Sequence, residues 1–361
     1  MSGSVPNALP RERASDRLLA WLEGYFEISH GGNATIRPME GLRGIAVSLV
    51  FLVHYSSLIA PWLTGAVIPV SKVIHGFGHL GVDLFFVLSG FLIYGTIISR
   101  AEFATGHYVH RRVKRIYPTF LAVLGLYLVL SVVFPNESKF PEGAGPSMLY
   151  LLQNVLLLPG IFDIEPIITV AWSLSYEAFY YIVIPPTIIW LGMRKWPRAT
   201  RIAFWSVVAV AGFAAIPALG GPVRLMMFIA GIIVYELYSG GLVQPKHGGT
   251  FALLLALALF GAGGVASIHY PSAFAIVAVL FGWLCLVAFD NASLAGRWLS
   301  WKPLRWLGNM SYSYYLIHGL TLKFCFLVLG IVYPAQGANL WMYAWLWVPM
   351  FCATLVVSAA L

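Results

Sequence analysis

The chain has 361 residues, of which 60% are hydrophobic and only 10% charged, with a formal net charge of +8. A soluble globular domain is about one quarter charged, so this composition excludes an ordinary water-soluble fold. Repeated apolar runs of roughly 20 residues, the length that crosses about 30 Å of hydrocarbon, instead predict an all-α polytopic membrane protein with about ten transmembrane helices.

The basic excess is not a nucleic-acid signature, because no zinc-finger spacing or aromatic RNA motif accompanies it. Cys285, Cys325 and Cys352 lie inside apolar runs without a CxxC pair, which reads as packing. No metal site is expected.

Residues 1–41 are too polar for a signal peptide and read as a cytoplasmic N-terminal segment. The predicted spans then run over 42–60, 78–98, 116–134, 169–191, 200–219, 223–239, 248–267, 271–289, 311–333 and 340–361. A shorter apolar stretch, "MLYLLQNVLLLPG" at 148–160, reads as an interfacial or re-entrant helix. Neither an internal repeat nor a linker to a second domain is visible.

The first span lies in "EGLRGIAVSLVFLVHY", residues 40–55. Arg43 and His54 are eleven residues apart, about three helical turns, so both fall on one face with His54 some 16 Å deeper. Arg43 alone could be an anchor that snorkels to headgroups. His54 could be a buried neutral imidazole bonded to a neighbouring helix. Ionisable groups inside a membrane are costly and usually face a cavity or pathway, which favours a functional His54. A neutral imidazole is a natural acceptor for a hydroxyl proton near pH 7.

In the second span, "HLGVDLFFVLSGFLI" at 79–93, Asp83 lies one turn beyond His79. Orienting a histidine, binding a sugar hydroxyl and capping the helix start are all open to it. Ser89 and Gly90 allow close approach of a helix or a ligand. The span exits into "HYVHRRVKRIYP" at 107–118, where Arg111, Arg112 and Arg115 have helical spacing. Positive-inside anchoring and lipid-headgroup binding compete there with a site for a phosphorylated ligand.

Glu177 in "TVAWSLSYEAFYYIVIPP", 169–186, sits eight residues into a span among hydroxylated aromatics. An interfacial aromatic belt explains the rings but not the carboxylate, so a polar cavity for a carbohydrate or headgroup is expected. "WLGNMSYSYYLIHG", 306–319, opens the ninth span with Asn309 or Ser311 as N-cap. His318 lies two turns in and Lys323 deeper, both weaker signals than His54.

With a cytoplasmic N-terminus, 18 of the 22 Lys and Arg residues fall on the inner side, leaving Lys72, Lys139, Arg224 and Lys323. That bias sets the expected orientation. An even number of spans puts both termini inside and the 135–168 loop outside.

Four motifs in this order, "EGLRGIAVSLVFLVH", "GVDLFFVLSGFLI" followed by "RRVKRIYP", "WSLSYEAFYYIVIP" and "LGNMSYSYYLIHG", resemble the membrane acyltransferase 3 family over about residues 36–333. The resemblance implies a transmembrane acyltransferase domain over 42–361. It implies transfer of an acyl group, often acetyl, from a coenzyme A thioester to a hydroxyl of a surface carbohydrate, a lipid-linked glycan or a related acceptor. It assigns the essential histidine to His54, matches Arg43 and Glu177 to the family pattern, and puts Arg112 and Arg115 near the coenzyme.

Acyl-CoA, probed as acetyl-CoA, would then be a donor substrate rather than a resident cofactor. The membrane would be the cell membrane, as in a bacterial inner membrane. Many members continue into a basic tail where this chain stops at "CATLVVSAAL". Some add an outer soluble domain; without one here, acceptor delivery is expected to rest on the membrane core.

The residues and the resemblance converge on one mechanism. Arg112, Arg115 and Arg43 hold the donor phosphates at the cytoplasmic side. The acceptor enters near Asp83 and Glu177, and His54 removes the hydroxyl proton. An acyl-histidine intermediate is the alternative route. The rival class is a proton-coupled secondary transporter, which buried His, Asp and Glu would suit. It is disfavoured by the lack of an inverted repeat.

Overall fold

The computed structural model describes residues 23, 24, 26, 36–100, 102–266, 271–335 and 340–361. Most of the expected N-terminal segment, with Arg11, Arg13 and Arg17, therefore lies outside the described residues. Within them the fold is all-α. The helices are α1 Arg37–Ile59, α2 Val67–Gly78, α3 Leu80–Ile98, α4 Thr105–Val133 and α5 Ala144–Val155. They continue with α6 Trp172–Trp190, α7 Arg198–Ala218, α8 Met226–Ser239, α9 Gly249–Ala266 and α10 Pro271–Ala288. The last are α11 Leu294–Leu299, α12 Lys302–Asn309, α13 Ser311–Val332, α14 Leu340–Trp345 and α15 Trp347–Ala359.

Seven stretches among the described residues are long and apolar enough to cross a membrane: Arg37–Trp62, Val67–Ile98, Thr105–Val133, Arg198–Ala218, Pro271–Ala288, Ser311–Val332 and Leu340–Ala359. The other three expected spans also carry helices. α6 is long enough, but Ser173, Ser175, Tyr176 and Glu177 make its first half polar. α8 has 14 residues, about 21 Å against roughly 30 Å of hydrocarbon. The apolar run in α9 covers Gly249–Gly261.

Two boundaries differ from expectation. Residues 67–77, expected as a loop, form α2, which runs almost directly into α3 and packs against α9 and α1. The basic stretch at 107–115 is the start of the 29-residue α4 rather than a loop. The 148–160 stretch carries the short α5, whose last residue, Val155, accepts a hydrogen bond from Tyr117 on α4 through its carbonyl.

α3 lies at the centre, packed against α8, α1 and α6. Its crossing with α8 is tight because Gly90 meets the backbone of Phe228 while Gly231 of α8 meets the carbonyl of Val87. A methyl group at either position would collide with main chain, which is how small residues admit close helix contact in membranes. The close approach expected at Gly90 is thus made by a helix.

A second tight seam joins α1 to the α11–α12 hairpin. Gly41 meets the carbonyl of Leu299, Gly44 that of Leu304, and Gly308 that of Glu40. The same seam carries a buried ion pair, Arg305 Nε to Glu40 Oε2 at 2.8 Å. Opposite it, α1, α13, α14 and α15 enclose a smaller core around Tyr55, Tyr314 and Tyr343. There Tyr55 donates to the Tyr343 carbonyl at 2.5 Å.

A buried polar knot ties α3, α7 and α8. Glu236 is fully buried and receives Arg201 through Nε at 2.6 Å and Nη2 at 3.0 Å. Arg198 Nε lies at 3.4 Å, and Tyr94 donates its hydroxyl to the same carboxylate. Two guanidinium groups and a phenol thus satisfy one buried acid, as a low-dielectric site requires.

Candidate active site

Five helices contribute charged or hydroxyl side chains to one cleft. It is lined by Arg43 of α1, Ser89 of α3, Arg115 of α4, Glu177 of α6, and Ser311, Tyr312 and Tyr315 of α13. The glycine seam explains how Arg43 reaches it. With Gly41 and Gly44 pressed on the hairpin, Arg43 points to the α13 side, where its Nη2 donates to Ser311 Oγ at 2.8 Å. Tyr312 ties the α13 wall to α4 by donating to the Ile116 carbonyl at 2.7 Å, one residue from Arg115.

Glu177 is held by Tyr181, one turn along α6, which donates its hydroxyl to Oε1. The Arg112 guanidinium lies over the Tyr181 ring at 4.8 Å and the Tyr108 ring at 5.2 Å. Arg112 therefore reaches Glu177 through Tyr181, whereas Arg115 lines the cleft itself. Glu177 and Arg115 both act electrostatically on Arg43. The wall is thus cationic with one acid, suited to an anionic ligand whose hydroxyl or amide groups meet the carboxylate.

Beyond Tyr315 the two histidines meet. The His54 and His318 rings stack at 4.8 Å with planes 11° apart. The other ring stacked on His318 is Tyr314, at 5.2 Å and 10°. His318 Nδ1 lies 2.9 Å from both the Tyr314 and Tyr315 carbonyl oxygens. A bare lone pair would not face two oxygens, so Nδ1 carries the hydrogen and Nε2 the lone pair. Nε2 is buried with no hydrogen-bond partner among the described residues. His54 itself is partly exposed, at the open end of this three-ring stack.

Asp83 stands apart from the cleft. It is fully buried, and its nearest charge is Arg224, whose Nη1 lies 3.4 Å from Oδ2. That guanidinium also donates to the His79 carbonyl at 3.4 Å and covers the Phe274 ring at 5.2 Å. Lys323 reaches out to Glu137 at 2.6 Å, and both side chains are exposed.

The structure thus gathers Arg43, Arg115 and Glu177, sets His54 beside His318, links Arg112 indirectly, and leaves Asp83 with Arg224. Sequence reasoning missed the wall made by Ser311, Tyr312 and Tyr315. It also did not foresee that His318 stacks on His54. Helical spacing held the signal, since Ser311, Tyr315 and His318 fall on one face of α13 at intervals of four and three.

A family model described as an acyltransferase domain matches residues 37–361. The chain is 27% identical over 316 residues to the O-acetyltransferase OatA of Staphylococcus aureus, covering 78% of this chain and 49% of that protein. It is 28% identical over 301 residues to the putative membrane-bound transacylase BcsY of Komagataeibacter xylinus, covering 78% of this chain and 72% of BcsY. It is 26% identical over 258 residues to the exopolysaccharide production protein ExoZ of Rhizobium meliloti, covering 68% of this chain and 77% of ExoZ. The chain spans about half the length of the OatA relatives it matches. No solved structure matches it at a significant level. With a family match that runs from the first residue of α1 to the end of the chain, this multi-pass membrane protein belongs to the membrane acyltransferase 3 family.

Proposed function

We propose that the chain is a membrane O-acyltransferase that moves an acyl group, acetyl in the simplest case, from acyl-CoA to a hydroxyl of a cell-envelope carbohydrate. One observation carries this reading: a cationic cleft holding Arg43, Arg115 and Glu177 is walled by Tyr315, whose ring lies 6.0 Å from His318, the imidazole stacked on His54. Phosphates of the donor pair with Arg115, Arg43 and the nearby Arg112. The thioester arm passes Tyr315 toward His54, and Glu177 meets polar groups along the cleft. Asp83, held by Arg224, borders the outer approach of the acceptor.

The chemistry is direct transfer. His54 takes the hydroxyl proton as the oxygen attacks the thioester carbonyl, and returns it to the departing thiolate. The domain extends over 42–361, with the preceding residues and the basic start of α4 in the cytoplasm of a bacterial cell. The acyltransferase-domain match supports the reaction class, the name of OatA supports O-acetyl transfer, and the name of ExoZ supports a polysaccharide acceptor.

The test is to incubate the purified protein with labelled acetyl-CoA and an extract of cell-envelope glycans, and to identify labelled product by mass spectrometry. An ester-linked acetyl on a glycan is the expected result; label that stays on the donor would sink the reading. Single cysteines at Thr105 and Ser138 test the orientation. In intact cells a membrane-impermeant thiol reagent should reach position 138 and not 105.

A further inference from the structure

We infer that His318 is the positioning residue of His54, holding its imidazole by ring stacking where other bases are held by a hydrogen bond; the inference rests on the acyl-transfer reading above. A general base is normally oriented by a third group, bonded to the ring nitrogen that does not take the proton. Neither ring nitrogen of His54 makes a hydrogen bond among the described residues. The acids of the site are engaged elsewhere, Glu177 by Tyr181 and Asp83 by Arg224. His75 of α2 acts on His54 electrostatically, but its ring lies edge-on to that of His79 at 4.8 Å.

His54 therefore depends on its stack. The two rings lie 4.8 Å apart and 11° from parallel. His318 is a fixed platform. It is fully buried, and its Nδ1 hydrogen is shared between the Tyr314 and Tyr315 carbonyls at 2.9 Å each. Tyr314 backs its other face at 5.2 Å. Tyr314 is buried in turn, and its hydroxyl pairs with Thr354 Oγ1 of α15 at 2.9 Å. One imidazole is thus locked by α13 and α15, and the other, on α1, leans on it.

The platform also suits the charge. On taking the proton His54 becomes an imidazolium, and a cation over a ring face is attracted by the π electrons. With Nδ1 carrying its single hydrogen and Nε2 bare, His318 is neutral, so the new cation meets no like charge in the stack. A partner fixed in advance beside a charge that develops during reaction needs no reorganisation. The charge that answers the bare nitrogen arrives with the acceptor's proton.

The step balances, and His318 neither gains nor loses a proton in it. The acceptor oxygen forms a C–O bond to the thioester carbonyl carbon while its proton passes to His54. The imidazolium rests against His318. The C–S bond then breaks, and the thiolate takes the proton from His54.

The experiment compares wild type, His318→Gln and His318→Phe as purified full-length chains, with labelled acetyl-CoA as donor and the envelope glycan extract as acceptor. Elution and thermal unfolding are recorded for each. The glutamine keeps polar reach and loses the flat ring. Its kcat should fall on the order of 10²-fold, the cost of a misplaced reacting group, at an unchanged donor KM. The phenylalanine keeps the ring and loses both nitrogens. Its kcat should stay within about tenfold of wild type, the scale of one neutral hydrogen bond. A His318→Gln enzyme within about threefold of wild type in kcat is far from the cost of a misplaced base and overturns the inference. So does a His318→Phe enzyme that unfolds and elutes like wild type yet transfers no acetyl, because the nitrogens and not the stack would then be what matters. If wild type transfers no acetyl, the acyl-transfer reading falls and takes this inference with it. An active wild type with either of those variant results defeats the inference alone.

Discussion

Two buried polar clusters in this molecule are built on opposite rules. Around Glu236 the carboxylate is saturated, since Arg201 and Tyr94 donate to it and Arg198 Nε lies 3.4 Å away. Beside the cleft, His318 Nε2 has no hydrogen-bond partner among the described residues, and Arg115 on the cleft wall is exposed. Burying an unpaired polar group costs about 1–3 kcal/mol. Such an expense is kept where something from outside completes the pairing. The contrast separates charge that holds helices together from charge that waits for a ligand.

The sharpest way to break the contrast is His54→Gln. Loss of a general base costs about 10²–10⁴-fold in rate, and the variant should keep wild-type yield because His54 sits at the open end of its stack. More than about a tenth of the activity remaining lies below that range and would make His54 an orienting residue. On the saturated side, Glu236→Ala strands two guanidinium groups. Removing one partner of a buried pair destabilises by about 3–5 kcal/mol. Thermal unfolding in detergent should show a large drop in Tm, and an unchanged Tm would erase the distinction between the clusters.

Arg115→Ala should spare stability and raise the donor KM. A hydrogen bond to a charged group is worth about 1.5–3 kcal/mol, roughly ten- to a hundredfold in KM. With kcat unchanged, the contact is one made equally before and during reaction. An unaltered donor KM reduces the α4 arginines to membrane anchors.

The smallest effect belongs to Lys323. Its bond to Glu137 holds that exposed carboxyl below the usual range. The ion pair is therefore intact at neutral pH and lost as pH falls through the lowered pKa. Because both partners face solvent, neither acidification across that window nor Lys323→Ala should move Tm measurably.

Much of this was readable in advance. Arg43 and His54 announced themselves as ionisable residues in an apolar run, and Arg111, Arg112 and Arg115 stood out by their helical spacing. The partners were harder. Glu40, Asp83 and Glu236 each interrupt apolar sequence, and each finds an arginine far along the chain: Arg305, Arg224 and Arg201. An acid in a span demands a cation, but sequence alone does not say which of 22 basic residues answers. The His54–His318 stack escaped for the same reason, being a contact between helices α1 and α13 rather than a pattern within one. The 67–78 helix lies between the spans expected at 42–60 and 78–98, and Pro69 and Lys72 interrupt its apolar run.

α4 has one more consequence. It is 29 residues long, about 44 Å, against roughly 30 Å of hydrocarbon, and the excess is its basic start, Thr105 to Arg115. Few of its side chains are buried, and Val129, Val132 and Val133 lie bare. The apolar part, Ile116 to Val133, fits the bilayer, and the basic turns before it project into water. Arg115 stands at the junction of the two parts, so the cationic wall lies at the membrane surface. On the acyl-transfer reading, a highly charged donor would meet that wall without its phosphates entering the hydrocarbon.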